Sequence, residues 1–395
     1  MYIKPGAMLG MLGGGQLGRM FAMAAQQMGY RVTVLDPAIE SPAANIAERH
    51  LQADYLDYQA LDELGSTCAA VTIEFENVPA QALRYLAQRC VVSPDAESVS
   101  IAQNRILEKQ FLVENGFPVV PFAIIPNERD ISHEVDASLF PGILKISQFG
   151  YDGKGQIQIE NRDVLAERFA DLGSKPCVLE KRLPLAHEIS VILARDIRSQ
   201  ITFFPVPENK HVQGILDTSI VPTRLPDRIV EEACEIARQV AMKLNYIGVL
   251  CVEFFILDDD RILINEIAPR PHNSGHYSLD ACITSQFEQQ VRVLCGLPHG
   301  STKQVQAAIM INMLGNLWQN GEPAWDQILR HPQAKLHLYG KREAKPGRKM
   351  GHFTVLADSV EEALLQARHI RHNLQLPTQH IPGIDTLHYD NRNTV

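Results

Sequence analysis

Residues 249–276, VLCVEFFILDDDRILINEIAPRPHNSGH, carry the densest set of groups able to do chemistry in this 395-residue chain. Two apolar runs rich in β-branched residues flank Asp-Asp-Asp-Arg, the pattern of a hairpin. With Asp259 and Asp260 as the central turn residues, Glu253 faces Glu266 across the hairpin and Phe255 faces Ile264 on the same side. Opposed like charges cost a few tenths to ~1 kcal/mol in an exposed sheet and more where they are partly buried. A cation between them removes that cost. Oxygen donors, with Asn265 alongside, suit a hard ion such as Mg²⁺, which is usually held by one or two carboxylates plus substrate phosphates. Two glutamates on a solvated hairpin face are the plainer alternative. Beyond the hairpin, Pro269 and Pro271 keep the chain extended, so Glu266, Arg270 and His272 fall on one side. Two carboxylates, a guanidinium and an imidazole on one edge fit an anionic-substrate site around a metal. Each taken singly reads as a core histidine or a surface arginine.

Two glycine loops could meet phosphate. Gly13, Gly15 and Gly18 form G-x-G-x-x-G between a strand and a helix, with Asp36 ending the next strand. That is the dinucleotide pattern, in which backbone approaches phosphate and the acid takes a ribose hydroxyl. Any tight strand-to-helix turn near a ligand can use the same glycines. The second loop, SQFGYDGKGQ at 147–156, lies between the strands GILKIS and QIQIE and is no Walker-type loop. Such a flap can fold over triphosphate, with Lys145 as a point charge on it; a simple glycine-rich hairpin turn is the alternative.

The elements that must position these groups read as three units. Residues 6–36 alternate strand, helix and strand. AAVTIEF, NVPAQALRYLAQR and CVVSP continue the alternation, which implies a doubly wound, mostly parallel sheet. A helix over AQNRILEKQFLVENG opens an α+β region with strands near 143–147, 155–159, 177–181 and 188–194 and a helix at 227–244. Residues 301–395 form a smaller β-rich unit with one helix at 359–373, and the tail beyond shows little periodicity. The 45% hydrophobic and 21% charged composition is that of an ordinary globular protein. A net charge of −9 argues against a general nucleic-acid surface. No apolar run approaches the ~20 residues of a membrane span, and nothing resembles a signal peptide. Seven scattered cysteines without C-x-x-C suit a reduced, cytoplasmic protein.

GGGQLGRM at 13–20, TIEFENVP at 72–79, GYDGKGQ at 150–156, NEIAPRPHNSGH at 265–276 and KPGRKMGH at 345–352 together resemble the N5-carboxyaminoimidazole ribonucleotide synthetases among the ATP-grasp ligases. The likeness runs to about residue 355. The formate-dependent transformylases of glycinamide ribonucleotide share the layout but differ in the flap and after Pro-Arg-Pro-His. The resemblance implies an α/β ATP-grasp fold. Its parts would be an N-terminal Rossmann-like (pre-ATP-grasp) parallel-sheet domain over 1–105, an α+β ATP-grasp domain over 106–300 with a lid at about 117–185, and a small β-rich C-terminal domain over 301–395. It implies purine-biosynthetic carboxylation of 5-aminoimidazole ribonucleotide with ATP and bicarbonate through carboxyphosphate, and a homodimer.

By the same resemblance, Glu253 and Glu266 hold Mg²⁺, beside Asn265. Arg105, Lys145 and the flap (Gly150, Tyr151, Asp152, Gly153, Lys154, Gly155, Gln156) position the triphosphate. Glu180, Lys181, Arg182 and Leu183 border adenine through backbone groups, Glu188 lies on the ribose and His211 nearby. Arg270 grips bicarbonate or carboxyphosphate, bordered by His272 and Asn273. Asp152 takes the proton from the amine. Gly15, Gln16, Leu17 and Glu76 face the ribonucleotide, with no NAD bound, and Lys341, Arg348 and Lys349 take its 5′-phosphate. A nicotinamide dehydrogenase using Gly13–Gly18 and Asp36 would leave the flap and the glutamate pair unexplained. A regulatory protein with an inactive ATP site would not need the intact lysine, flap and carboxylates.

Overall fold

The computed structural model describes residues 2–131, 135–150 and 153–376. At the N-terminus, β1 (Met8–Leu12), β2 (Arg31–Leu35), β3 (Arg49–Leu51), β4 (Ala70–Ile73) and β5 (Val91–Val92) form a parallel sheet in the order β3-β2-β1-β4-β5. The order reverses between β1 and β4, and the glycine loop after β1 opens at that reversal, where open parallel sheets place their ligands.

The next unit holds an antiparallel sheet of β6 (Phe122–Ile125), β7 (Gly142–Ile146), β8 (Gln156–Ile159) and β9 (Cys177–Lys181), in the order β6-β9-β7-β8. The glycine flap joins β7 to β8. The largest sheet collects β10 (Leu185–Arg195), β11 (Ile201–Phe203), β12 (Glu208–Val212), β13 (Ile215–Val221), β14 (Gly248–Leu257), β15 (Ile262–Ala268), β16 (Ala307–Leu314), β17 (Ala334–Leu338) and β18 (Lys349–Ala357). Its order is β15-β14-β10-β12-β13-β16-β18-β17, with β11 on β10. The C-terminal strands therefore have no sheet of their own: β16 pairs with β13. Their apolar runs give no sign of this in sequence, because pairing partners are chosen by tertiary contact.

The helix Asp227–Lys243 packs its buried face (Ile229, Ala233, Ala237, Val240) against β10, β14 and β15. Helix Gln286–Leu294 sends Phe287, Val291 and Leu294 into the N-terminal core, while Gln290 donates to Thr72 Oγ1 at 3.1 Å. That helix locks the parallel sheet to the large one, and the cleft between them is built on fixed walls. The tail beyond residue 376 lies outside the described residues.

Candidate active site

The hairpin β14–β15 brings Glu253 opposite Glu266, as its spacing predicts. The route differs. Phe254, not Phe255, faces Ile264, and Phe255 faces Leu263. The turn has three residues, Asp258–Asp260, with Asp260 left-handed at φ 64°, and Asp260 N donates to Leu257 O. That shifts the ladder by one residue, and a bulge at Asn265 shifts it back before Glu266.

Each carboxylate meets a nitrogen partner. His272 Nε2 lies 2.8 Å from Glu253 Oε1, and Arg105 Nη2 donates to Glu266 Oε2 at 3.0 Å. Burial alone would raise the Glu253 carboxyl, but His272, His211 and Arg270 hold it at about 2. Asn265 Nδ2 donates to Glu253 Oε2 at 3.4 Å, while its Oδ1 is buried without a hydrogen-bond partner. Two carboxylates and an unsatisfied amide oxygen form an oxygen-only donor set, which fits Mg²⁺. A second set that could hold a metal, Asp280, His337 and His352, lies elsewhere. It is rich in nitrogen, which Mg²⁺ disfavours, and Asp280 already accepts from His337 at 2.8 Å.

Beneath Glu266 lies a buried charge cluster. Glu180 carries Lys145 at 2.5 Å, Lys109 at 3.1 Å and Arg105 at 3.9 Å. Burial opposes the Glu180 charge, yet these three cations hold its carboxyl well below the usual range. Burial in turn lowers the Lys145 ammonium, with Glu180 opposing. The Glu180 side chain is thus turned toward the lysines. Arg182 reaches out to Gln158 and Glu160 at 3.2 and 3.1 Å, and neither it nor Lys181 nor Leu183 lines the cleft. Glu188 meets His211 Nδ1 at 2.9 Å on neighbouring strands.

Arg105, Lys145, Glu188, His211, Glu253, Asn265, Glu266, Arg270 and His272 line one cleft of about 1140 Å³, together with Lys154, Gln156, Asn273, Arg348 and Lys349, while Glu180 and Lys109 are not in its lining. Gly150, Gly153 and Gly155 line it from the flap. Gly153 and Gly155 sit at φ 74°, where a side chain is strained. A Cβ on Gly153 would stand 2.9 Å from Gln213 O, so the flap rests directly on the β12–β13 turn. Tyr151 and Asp152 lie outside the described residues.

The N-terminal loop enters the same cleft through Gly15, Gln16 and Leu17. Its dinucleotide features are spent internally. Asp36 Oδ2 accepts from Gly14 N at 2.7 Å and from Tyr55 at 2.9 Å. Glu74 Oε2 accepts from Gly18 N at 3.1 Å, and its Oε1 lies 1.9 Å from where a Cβ on Gly15 would stand. A carboxylate thus fills the helix N-terminus that would otherwise take phosphate. Burial raises the Glu74 carboxyl to about 7, despite the Gly18 and Gly15 amides. Glu76 pairs with Arg270; burial opposes its charge, and the guanidinium holds it below its ordinary value. Lys341 Nζ, 325 residues from Gln16, donates to Gln16 Oε1 at 2.5 Å and to Lys349 O at 2.6 Å.

The sequence reading passed over Glu74, Glu108 and Lys109. Glu74 is two residues before Glu76 in the same motif. Glu108 and Lys109 follow Arg105 at helical spacing, a signal that a helical reading of 102–116 contained.

Residues 7–103 match the ribonucleotide synthetase pre-ATP-grasp domain, residues 110–287 the ATP-grasp domain, and residues 308–366 the phosphoribosylaminoimidazole carboxylase C-terminal domain. The N5-carboxyaminoimidazole ribonucleotide synthase of Bacillus subtilis (strain 168) is 41% identical over 360 residues, 91% of this chain and 94% of that protein. The chain belongs to the N5-carboxyaminoimidazole ribonucleotide synthase family. Two solved members extend the likeness. The Staphylococcus aureus synthetase complexed with ADP is 39% identical, with a TM-score of 0.88 over 94% of this chain and 98% of that one. The Aspergillus clavatus synthase in complex with ADP and 5-aminoimidazole ribonucleotide is 30% identical, with a TM-score of 0.84 over 93% and 98%. Family membership carries an α/β ATP-grasp ligase fold with it.

Proposed function

We propose that this chain is a carbon–nitrogen ligase that carboxylates 5-aminoimidazole ribonucleotide at the expense of ATP and bicarbonate, in purine biosynthesis. The observation that carries this reading is the meeting of three distant segments in one cleft: the Gly15–Leu17 loop, the Glu253–Glu266 hairpin and the Lys341–Lys349 run. ATP binds under the flap, with Lys145, held by Glu180, as the charge near its phosphates. Arg105 and Arg270 supply further fixed positive charge. Glu253, Glu266 and Asn265 are the residues that would hold Mg²⁺, which neutralises charge on the phosphates as it builds.

A bicarbonate oxygen attacks the γ-phosphorus; that P–O bond forms as the bond to ADP breaks, giving carboxyphosphate. Arg270 grips that dianion. Carboxyphosphate releases phosphate and CO₂, and the exocyclic amine forms the new N–C bond and gives up a proton. We assign that proton to Asp152. The flap excludes water from an intermediate that hydrolyses readily. The nucleotide's 5′-phosphate is assigned to Lys341, Arg348 and Lys349, and its ribose end to the Gly15–Leu17 loop with Glu76. We keep residues 1–105, 106–300 and 301–395 as the working division of the chain, and a cytoplasmic homodimer as its working state.

The test is ADP release measured with bicarbonate and 5-aminoimidazole ribonucleotide supplied singly and together. Release that needs both, with a carboxylated product, is expected. Turnover that needs formate instead would place the chain with the transformylases, and NAD binding in a fluorescence titration would revive the dehydrogenase.

A further inference from the structure

The helix Arg105–Glu114 opens at Asn104, whose Oδ1 accepts from Ile106 N at 2.9 Å. Positions 105, 108 and 109 share one face of it, and that face lies against β15 and β9. Glu108 is 3% exposed and Lys109 is wholly buried. Glu108 Oε1 accepts from Ile267 N at 2.5 Å, and Lys109 Nζ donates to Asn265 O at 3.0 Å. Asn265 and Ile267 are the two neighbours of Glu266. β15 is the edge strand of its sheet and the bulge falls at Asn265, so its outward-facing backbone groups here depend on partners from outside the sheet. Two buried ionisable side chains supply them, at a desolvation cost that an apolar pair would avoid.

We propose that Glu108 and Lys109 are positioning residues: they tether the main chain on either side of Glu266 and so fix its carboxylate toward the metal. Lys109 also contacts Glu180 at 3.1 Å, and Glu180 carries Lys145. One lysine thus ties the metal edge of the cleft to its phosphate edge. This inference rests on the reading of Glu266 as a metal ligand.

The experiment titrates Mn²⁺ into protein with ADP and follows free Mn²⁺ by electron paramagnetic resonance, with thermal unfolding of each variant recorded alongside. Glu108→Leu and Lys109→Met each remove one tether, and each should weaken Mn²⁺ binding by roughly tenfold, the equivalent of one lost buried hydrogen bond at ~1.4 kcal/mol. Glu108→Gln keeps an acceptor for Ile267 N and should stay within about threefold of the parent. ADP affinity without metal should change less than about threefold in Glu108→Leu. Should one tether variant fail to fold, the other carries the same expectation independently. Glu266→Gln separates the two levels. If it leaves Mn²⁺ binding unchanged, the metal reading itself fails. If it weakens binding while folded Glu108→Leu or Lys109→Met does not, the positioning role is wrong. Equal loss of ADP affinity with and without Mn²⁺ also overturns it, since that is general disorder of the site.

Discussion

Glu253 and Glu266 would repel across their hairpin, and each is answered from a different direction, by His272 and by Arg105. Because Glu253 is held near 2, below its ordinary 4.5, its stabilising contribution is full above about 4.5 and is lost as pH falls through 2. It is therefore ionised throughout the working range. Glu266→Gln should lower kcat by about 10²–10³-fold, and Glu253→Gln by less, with more Mg²⁺ needed for half-maximal ADP release. Near-normal turnover of Glu266→Gln at ordinary Mg²⁺ would remove the metal assignment. Glu74 behaves oppositely. Its carboxyl is raised from 4.5 to about 7, so the stability it lends is complete below 4.5 and disappears as pH rises through 7. Glu74→Gln should thus gain in melting temperature relative to the parent between pH 5 and 7.5. A difference that is flat across that range would show that Glu74 does not titrate there.

At the scale of elements, the alternation of apolar residues and the turn signals located most strands. β7, β8 and β9 lie within one residue of their expected spans, and helix Asp227–Lys243 matches its pattern. The Glu253–Glu266 pairing was legible, but through two offsets that cancel. A three-residue turn and a bulge leave no separate mark in composition: the turn rests on Asp260 taking a left-handed conformation, and the bulge lies where Lys109 and Glu108 receive the backbone from outside the sheet. The sharing of one sheet by β13 and β16 was not legible either, because it joins segments that no local rule connects. The flap was readable as glycine-rich, and its seat on the β12–β13 turn was not. Gly153→Ala or Gly214→Ala puts a Cβ into that seat and a side chain at φ 74° or 78°. A penalty of ~1–2 kcal/mol should raise the KM for ATP by about 5- to 30-fold, with more ADP formed per carboxylated product. An unchanged KM and unchanged coupling would mean the flap does not close on this turn during catalysis.

Across the whole molecule, the cleft is assembled from three sequence-distant walls, and its C-terminal wall should bind only one of the substrates. Lys341→Ala or Arg348→Ala should raise the KM for 5-aminoimidazole ribonucleotide about ten- to a hundredfold, from the ~1.5–3 kcal/mol of a charge-assisted hydrogen bond. The KM for ATP should move by only a few-fold. Equal losses for both would make the basic run a structural brace, and the 5′-phosphate would have to be sought elsewhere. The opposite wall carries a different lesson. Glu74 sits at the mouth of the first helix as a tethered competitor, present at an effective concentration set by the chain itself, in the millimolar range or above for a short tether. A free dinucleotide would have to displace a rival that can never diffuse away, and would gain only the amide contacts the Glu74 carboxyl group already makes. Discrimination against the commonest ligand of this architecture therefore needs no gate and no clash.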